Sequence, residues 1–438
     1  MKKIFGILLC ASVLLPLSSC FKQEDDIWEQ SSAQRTEAKV NEYYELLTSA
    51  ENGWVMEYFA NESEKGYPII VKFDAHKNVL MAANNAVSSG GAYKEQNGNY
   101  EIISDQGPVL TFNVNNSLLH TFADPSSDGI GHNGDYEFVI YEGDSEHFKM
   151  KGKKHGLEVY LYKMPADQDW KTYYDKITEH MDAMFSTQVP ELTMTAGGLN
   201  YTISVSDGVM VFLPEGGDPA TDAVSDPFVV RLDGTVHFCT PFEGRNFDLA
   251  LQNFKLSEDG SKLECIDEGQ TGVISGPSLI DQLLNASLTW DIDASLDGTG
   301  AYANMSGELA AAYDAVVKGA EALGMTVDCG VVFDALTSSF ALQVNIHSSS
   351  SSNPMIALFY MELNPSDGGI SIVADGSGDD NSIPYSNAIP ALKDFVQAVN
   401  GTYTVDVFNC VPFMPETLKL VSKDNAEDYF VLTKPAGE

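Results

Sequence analysis

Hydrophobic residues along this chain follow two spacings, which alternate from one end to the other. An apolar stripe at three- and four-residue intervals predicts a helix over residues 31–52. Ser31 and Gln34 form a candidate capping box at its start, and Gly53 supplies a stop signal at its end. The helical spacing returns at residues 167–187, 307–323 and, in a shorter segment, 388–399.

Between these helices the apolar residues form short runs, bounded by Gly, Asn and Asp, that are typical of strands. The first series lies at residues 54–59, 69–73, 79–82, 109–112, 136–141, 148–150 and 157–162. The second lies at 199–205, 209–213, 228–232, 236–239 and 247–251, and the third at 340–346, 356–363 and 369–373. Short runs with tight turns favour antiparallel meanders that curve or close into small barrels.

The order of a helix followed by strands occurs three times, about 140 residues apart, which is too long a period for a solenoid repeat. We therefore predict an α+β fold, predominantly β, with three modules, each made of a leading helix plus an antiparallel meander sheet or small barrel. The predicted boundaries are an N-terminal module at 29–166, a middle β-rich module at 167–304 and a C-terminal module at 305–438. The segments 348–354 and 375–382 are predicted surface loops, because Ser, Gly and Asp dominate them.

The first 19 residues have the form of a secretory signal peptide: two lysines, then an apolar run that is too short to span a bilayer. The sequence Leu-Ser-Ser-Cys that ends at Cys20 resembles the bacterial lipobox, which implies that Cys20 is lipidated after cleavage. An ordinary secreted protein with a chance cysteine at the cut is the alternative. Two or three acyl chains would hold the protein firmly in a membrane.

Residues 20–28 form the predicted lipidated acidic tether. Within it, a lysine followed by clustered acids at 22–26 resembles the export tag with which Bacteroidota-type cells move lipoproteins to the outer face of the outer membrane. The alternative is a plain solvated tether, since short charge runs are often unstructured. The resemblance implies an outer-membrane protein, anchored by its lipid and facing the cell surface.

The charge balance excludes one class of partner. The chain has 25 basic and 63 acidic residues and a formal net charge of −38. Such a field opposes phosphate backbones, so no nucleic acid partner is expected, whereas cations are favoured.

Four cysteines remain once Cys10 leaves with the signal and Cys20 is lipidated. An oxidising exterior would allow up to two bridges among them, in any of three pairings, and buried free thiols are the alternative. They are Cys239, Cys265, Cys329 and Cys410.

A set of motifs between residue 26 and about residue 165 carries a family resemblance. The motifs are SAENGWVMEY at 49–58, VKFD at 71–74, LTFN at 110–113, LHTFADP at 119–125, GDYEFV at 134–139 and KGKK at 151–154. In this order they resemble a family of outer-membrane lipoproteins of unknown function from Bacteroidota-type cells. Members are typically encoded near starch-utilisation-like transporter and lipoprotein pairs, which implies a place in nutrient uptake and supplies no catalytic residues.

The stretch DPSSDGIGHNGD at residues 124–135 is the sharpest candidate metal site. Oxygen-bearing side chains at the first, third, fifth and twelfth places, with glycine at the sixth, approach the spacing of a calcium loop. An ordinary hairpin loop explains the composition equally well, because no helices flank it. The candidate Ca²⁺ ligands are Asp124, Ser126, Asp128 and Asp135.

Aromatic residues give the remaining lead. Trp54, Trp170 and Trp290 border helix or strand ends, where we expect them to be buried over the module cores. An exposed aromatic residue near a strand end would instead offer a stacking platform to a sugar or a peptide. The aromatic residues predicted to share one core face are Tyr136, Phe138, Tyr141 and Phe148.

Three functions stay open on this basis. The first is a non-catalytic accessory protein that binds a glycan or a peptide for an outer-membrane nutrient-uptake system. The second is a scaffolding subunit that contacts only proteins. The third is a hydrolase with an unrecognised site, although the chain has no His-Glu-x-x-His, Gly-x-Ser-x-Gly or Walker-type motif. A buried carboxylate or histidine pair in a cleft would favour the third.

Replacing Cys20 by serine removes the thiol that carries the lipid. Because each buried methylene contributes about 0.8 kcal/mol to membrane binding, the wild-type chain should stay in the washed membrane fraction and Cys20→Ser should leave it. Immunoblots of the two fractions measure this, with Cys10→Ser, inside the signal, as a control that stays membrane-bound. Retention of Cys20→Ser in the membrane would contradict the lipid anchor.

The expected partner is tested in the same membranes. Extraction of the wild-type chain in mild detergent should bring down a transporter together with its partner lipoprotein, identified by mass spectrometry. Recovery of the chain alone would contradict a place in an uptake complex.

Overall fold

The computed structural model describes residues 31–105, 107–125, 131–185, 191–244 and 249–435. The predicted signal peptide, Cys20 and the acidic tether at 20–28 lie outside these ranges. Among the helices within them, none combines the length and the hydropathy that a membrane crossing needs.

The first module is a curved, nine-stranded antiparallel sheet with a helix packed across it. Its helices are α1, Ser32–Ser49, and the short α2, Ser117–His120. Its strands are β1, Trp54–Tyr58; β2, Tyr67–Phe73; β3, Asn78–Ala83; β4, Lys94–Asn99; β5, Glu101–Ser104; β6, Pro108–Thr111; β7, Glu137–Gly143; β8, His147–Gly152; and β9, Glu158–Lys163. The sheet order is β4-β3-β2-β1-β9-β8-β7-β6-β5, so only Tyr100 separates the two edge strands along the chain.

Helix α1 holds this open sheet together from one side. Its predicted capping box between Ser31 and Gln34 is confirmed. The indole Nε1 of Trp54 donates to the carbonyl of Leu47 at 2.8 Å, and this hydrogen bond joins the helix to the first strand. The hydroxyl of Tyr44 accepts from the backbone N–H of Ile102 at 2.7 Å, which satisfies a donor on an edge strand that would otherwise be open to another chain.

The second module is a closed eight-stranded barrel in which each strand pairs with its neighbours in sequence. Its helix is α3, Trp170–Met184. Its strands are β10, Leu192–Ala196; β11, Leu199–Ser206; β12, Val209–Pro214; β13, Val224–Val230; β14, Val236–Phe242; β15, Leu251–Leu256; β16, Lys262–Cys265; and β17, Gly272–Ser275. Alternate residues of each strand fill the barrel with apolar side chains, among them Phe212, Phe238 and Phe254.

The third module is a second closed eight-stranded barrel. Its helices are α4, Leu279–Leu283; α5, Gly307–Glu321; α6, Ser382–Ala388; and α7, Ala391–Ala398. Its strands are β18, Trp290–Ile292; β19, Met325–Asp334; β20, Ser339–Ser348; β21, Met355–Ser366; β22, Gly369–Gly378; β23, Gly401–Val407; β24, Thr417–Ser422; and β25, Tyr429–Thr433. Helix α5 lies between β18 and β19, helices α6 and α7 lie between β22 and β23, and α5 and α7 pack against each other.

The predicted fold class is confirmed: the chain is predominantly β, with one curved sheet and two barrels. Strand β18 pairs with β19 and β25 and so belongs to the third barrel. The predicted boundary between residues 304 and 305 therefore separates β18 from the rest of its barrel. The sequence did not reveal this strand, because three residues are too few to show a strand period. The segment 375–382 was predicted to be a surface loop, but strand β22 continues into it as far as Gly378.

The buried positions agree with the aromatic pattern only in part. Trp54 and Trp290 are buried as predicted, and so are Phe138 and Phe148. Tyr136 and Tyr141 are exposed, at 41% and 62%. Tyr136 precedes β7, and within β7 the side chains alternate, so that Phe138 and Ile140 face the core and Tyr141 faces solvent. The four cysteines of the body are all unpaired.

Candidate functional site

The first and second modules share one buried interface. Strand β1 is buried on both faces: Trp54, Met56 and Tyr58 point into the first module, while Val55 and Glu57 point away from that core. Helix α3 lies on this outer face, where the Tyr174 hydroxyl donates to the carbonyl of Ala82 at 2.7 Å.

The far end of α3 belongs to the second module. Met184 and the adjoining Phe185 pack into the core of the second barrel. Helix α3 thus shares its buried side chains between two hydrophobic cores, which ties the two modules together.

A charged pair lies in the middle of this interface. Glu57 is 2% exposed, and Arg231, from the hairpin between β13 and β14, donates to both of its carboxylate oxygens. The Nε to Oε1 distance is 2.6 Å and the Nη2 to Oε2 distance is 3.0 Å. The guanidinium also lies 4.1 Å from the ring centre of Tyr162 on β9. Two parallel hydrogen bonds and an aromatic face make this a strongly oriented ion pair.

A hydrogen-bond chain on the outer face of the second barrel holds Arg231 in place. Asp267 accepts from the side chain of Asn253 at 2.6 Å, and this leaves the Asn253 Oδ1 to accept from Arg231 Nη1 at 3.2 Å. The same oxygen lies 2.8 Å from Nδ1 of His237. Because an oxygen acceptor faces Nδ1, the network assigns the ring proton of neutral His237 to Nδ1.

His237 is neutral for an electrostatic reason. Burial lowers its pKa below the ordinary value, and the nearby Glu57 only partly opposes that shift. Its Nε2 lies 3.5 Å from Oε2 of Glu57 and has no hydrogen-bond partner among the described residues. The Glu57 charge therefore depends on Arg231 for its compensation.

A cavity of about 420 Å³ opens beside this ion pair. Both modules line it, and its wall is mostly apolar, with Val55 and Tyr173 from the cluster between β1 and α3 and Leu232 and Ile266 from the second module. Lys163 and Asp233 stand among the lining residues as charges of opposite sign. A largely apolar cavity with a few oriented polar groups between two modules is the usual form of a ligand site.

A second, acidic cleft of about 530 Å³ lies between the β8–β9 hairpin and the second barrel. Asp226 on β13 is 3% exposed, and from the described residues it accepts two long hydrogen bonds, both at 3.4 Å, from the backbone N–H and hydroxyl of Thr240. Burial raises the pKa of Asp226 to about 8, although these bonds act against the rise. Its carboxyl group is therefore protonated at neutral pH. The cleft is also lined by Glu62, Glu158 and Glu243.

The structure describes two of the four candidate calcium ligands, Asp124 and Asp135. Ser126 and Asp128 lie outside the described residues. Asp124 is exposed, while Asp135 is buried and its two carboxylate oxygens accept from the backbone N–H groups of Lys154 and His155, at 3.1 and 2.9 Å. Asp135 thus fastens the turn after β8, and the calcium loop stays a prediction. Within the described ranges, no group of three or more His, Cys, Asp or Glu side chains is arranged to hold a metal ion.

Sequence reasoning missed the residues that form this interface. Glu57 was visible as the one charge in a strand whose other side chains are apolar, a pattern that indicates burial on both faces. No sequence signal pointed to Arg231 as its structural neighbour, because it lies 174 positions away along the chain.

The fold and this interface define a predominantly β protein of three modules, with candidate ligand cavities between the first two. Residues 24–256 match the model of a domain of unknown function, DUF4302. That match covers more than half of the chain, and the chain belongs to this family. It includes the first module, α3 and the second barrel as far as β15, and therefore Glu57, Arg231 and Asp226. No curated protein matches the chain significantly.

Solved structures similar to this chain include β subunits of DNA polymerase III. That of Streptococcus pneumoniae TIGR4 is 10% identical, with 91% of this chain and 98% of that chain covered, at a TM-score of 0.13. That of Streptococcus pyogenes is 9% identical, with coverages of 91% and 98% and a TM-score of 0.14. That of Thermotoga maritima is 9% identical, with 92% and 98% covered and a TM-score of 0.13. Scores this low carry no argument about fold or function.

Removing one member of the interface ion pair should destabilise the protein more than removing both. Arg231→Leu leaves Glu57 charged and buried, so we expect the free energy of unfolding to fall by about 3–5 kcal/mol. The double variant Glu57→Leu/Arg231→Leu should recover most of that loss, since it leaves no uncompensated charge. Urea unfolding, followed by tryptophan fluorescence, measures all three chains.

The exposed pair between Lys39 and Glu42 gives the control. Glu42→Leu should change the free energy of unfolding by less than about 1 kcal/mol, because solvent screens the pair. Equal losses in Arg231→Leu and in the double variant would contradict the role given to the ion pair.

The protonation of Asp226 predicts a pH dependence of stability. Its folded pKa of about 8 lies above the ordinary value of 3.8, so unfolding releases a proton between these two pH values. The contribution of this group to stability therefore falls as pH rises through that window, by about 1.4 kcal/mol per pH unit, and levels off above it. Asp226→Asn, which cannot ionise, should lose this component. Urea unfolding at pH 5, 7 and 9 measures it, and identical pH profiles for the two chains would refute the buried acid.

Proposed function

We propose that this protein is a lipid-anchored, surface-facing accessory protein of an outer-membrane nutrient-uptake system, and that it binds peptides in the cavity between its first two modules. The lipobox-like sequence at Cys20 and the acidic tether behind it support the location. The cavity beside Glu57 and Arg231 is the observation that supports binding.

The lining of the cavity favours a peptide over a glycan. An apolar side chain would be buried against Val55, Tyr173, Leu232 and Ile266, and each fully buried aliphatic side chain contributes about 1.5–3 kcal/mol. Lys163 and Asp233 add opposite charges to the lining, but they are already paired with Glu146 and Lys255, at 2.9 and 2.8 Å, so the apolar wall carries the preference for a peptide.

A sugar in this cavity would require a free aromatic face, and the aromatic residues that line it, Tyr162 and Tyr173, already have neighbours, whereas the exposed Tyr141 does not line it. The ring of Tyr162 contacts the guanidinium of Arg231 and stacks near Tyr160, with centroids 6.1 Å apart. Tyr136 is stacked on His120, with centroids 4.8 Å apart. A peptide is therefore the better fit to the described residues.

The acidic cleft supports a second candidate, a hydrolase. A carboxyl group that stays protonated at neutral pH and lines a cleft has the property required of a general acid. Asp226 has this property, and the carboxylates of Glu62 and Glu158 line the same cleft. The cleft holds no recognised catalytic motif, so binding remains the leading proposal.

A matched pair of exposed apolar residues tests the binding site. Ile266 is 54% exposed and lines the cavity, whereas Leu336 is 97% exposed in the turn between β19 and β20. Ile266→Asp places a charge at the apolar wall and should reduce peptide retention at least tenfold, and Leu336→Asp should retain as much as the wild type. The immobilised mature chain is exposed to a tryptic digest of casein and to a mixture of malto- and xylo-oligosaccharides, and bound and unbound material is identified by mass spectrometry.

The outcomes separate the candidate functions. Retention of oligosaccharides alone would replace the peptide with a glycan, and retention of neither would favour the scaffolding role. Newly cleaved peptides in the unbound material, lost in Asp226→Asn, would favour the hydrolase.

A further inference from the structure

The third module contains a cavity that is separate from the interface and lies outside residues 24–256. Its volume is about 330 Å³, and it lies between strand β22 and helices α6 and α7. An irregularity in the pairing of β21 with β22 creates this cavity. Phe359 pairs with Gly378 while Met361 pairs with Ala374, so three residues of β22 stand opposite one residue of β21 and leave the sheet.

This bulge brings polar groups to the cavity from the strand side. Asp375 lines the cavity, and one of its carboxylate oxygens accepts from the backbone N–H of Ser377 at 2.8 Å. Gly376 has a φ of +84°, which glycine adopts without strain, and open space surrounds the position where a Cβ would lie. The bulge is therefore shaped by its own backbone and leaves the cavity unfilled.

The helices supply groups that have no partner inside the protein. Ser386 on α6 is 6% exposed and lines the cavity, and its hydroxyl has no hydrogen-bond partner among the described residues. This hydroxyl is therefore available to hydrogen-bond a molecule in the cavity. Lys393 on α7 and Asn387 also line the cavity, and neither makes an ion pair or a side-chain hydrogen bond to a described residue.

The remaining wall is apolar. Phe359 and Val396, 2% and 1% exposed, belong to the barrel core, and Ile383, which is 72% exposed, lies on the solvent side. The cavity therefore combines a cation, an anion, an unpaired hydroxyl and amide, and an apolar floor.

We infer that this cavity binds an α-zwitterion, a free amino acid or a dipeptide, with Lys393 facing its carboxylate, Asp375 facing its ammonium group and Phe359 and Val396 facing an apolar side chain. The unpaired Ser386 hydroxyl hydrogen-bonds the ligand's polar backbone. Because a sugar acid lacks the ammonium group, it would leave Asp375 without a partner. The site does not depend on the interface cavity.

Calorimetric titration of the full mature chain in mild detergent tests the site. The ligands are leucyl-leucine, leucyl-leucinamide, which lacks the carboxylate, N-acetyl-leucyl-leucine, which lacks the ammonium group, and glucuronate. We expect leucyl-leucine to bind at least tenfold more tightly than the other three. Saturable binding of glucuronate at equal affinity, or no heat from leucyl-leucine up to 10 mM, would overturn the inference.

Two variants test the recognition of the ligand's carboxylate end and of its ammonium end separately. Lys393→Met should weaken leucyl-leucine at least tenfold and leave leucyl-leucinamide unchanged, and Asp375→Asn should weaken leucyl-leucine and leave the N-acetyl form unchanged. Lys318→Met on α5, whose exposed pair with Asp314 lies outside the cavity, should bind like the wild type. Ile266→Asp should also bind like the wild type, which separates this site from the interface cavity. Unaltered binding in Lys393→Met and Asp375→Asn would refute the site.

Discussion

A carboxylate buried between two layers of β-structure must be neutralised or paired, and Glu57 imposes this requirement on the first two modules. It lies on an inner strand of the first sheet, yet its partner Arg231 comes from a hairpin of the second barrel. Separating the modules would expose their apolar contacts and leave the arginine without its bidentate acceptor. The relative placement of the modules is thus set by a directional interaction as well as by apolar burial, which alone has no preferred orientation.

The arginine is in turn oriented from within its own barrel. Asp267 orients the amide of Asn253, and that amide presents its oxygen to both Arg231 and His237. The interface is therefore polar at its centre. Around this centre it is apolar, because the buried side chains of α3 pack into two hydrophobic clusters. Two curved sheets contact each other over a limited area. The cavity beside the ion pair is the space next to that contact.

The two ligand cavities differ in chemistry because they arise differently. The interface cavity is bordered by the apolar cluster between β1 and α3, so its wall is mostly apolar, and its charges are held in ion pairs. The cavity of the third module arises from three residues that leave strand β22, so backbone and short polar side chains border it. The first suits the side chain of a peptide, and the second suits the charged ends of a small zwitterion.

Local interactions explain what the sequence by itself determined. The capping box at Ser31, the helices, the succession of short strands and the predominantly β class all follow from residues close together along the chain, and the structure confirms them. Tertiary structure decided the rest. Strand β18 is recognised only by its pairing with β19 and β25, and which face of β7 meets the core is decided by its packing in the sheet. The meeting of Glu57 with Arg231, the burial of Asp226 and the cavity at Ser386 depend on groups that are distant in sequence, and hydrophobic spacing carries no information about which strands become neighbours or which polar groups are left unpaired.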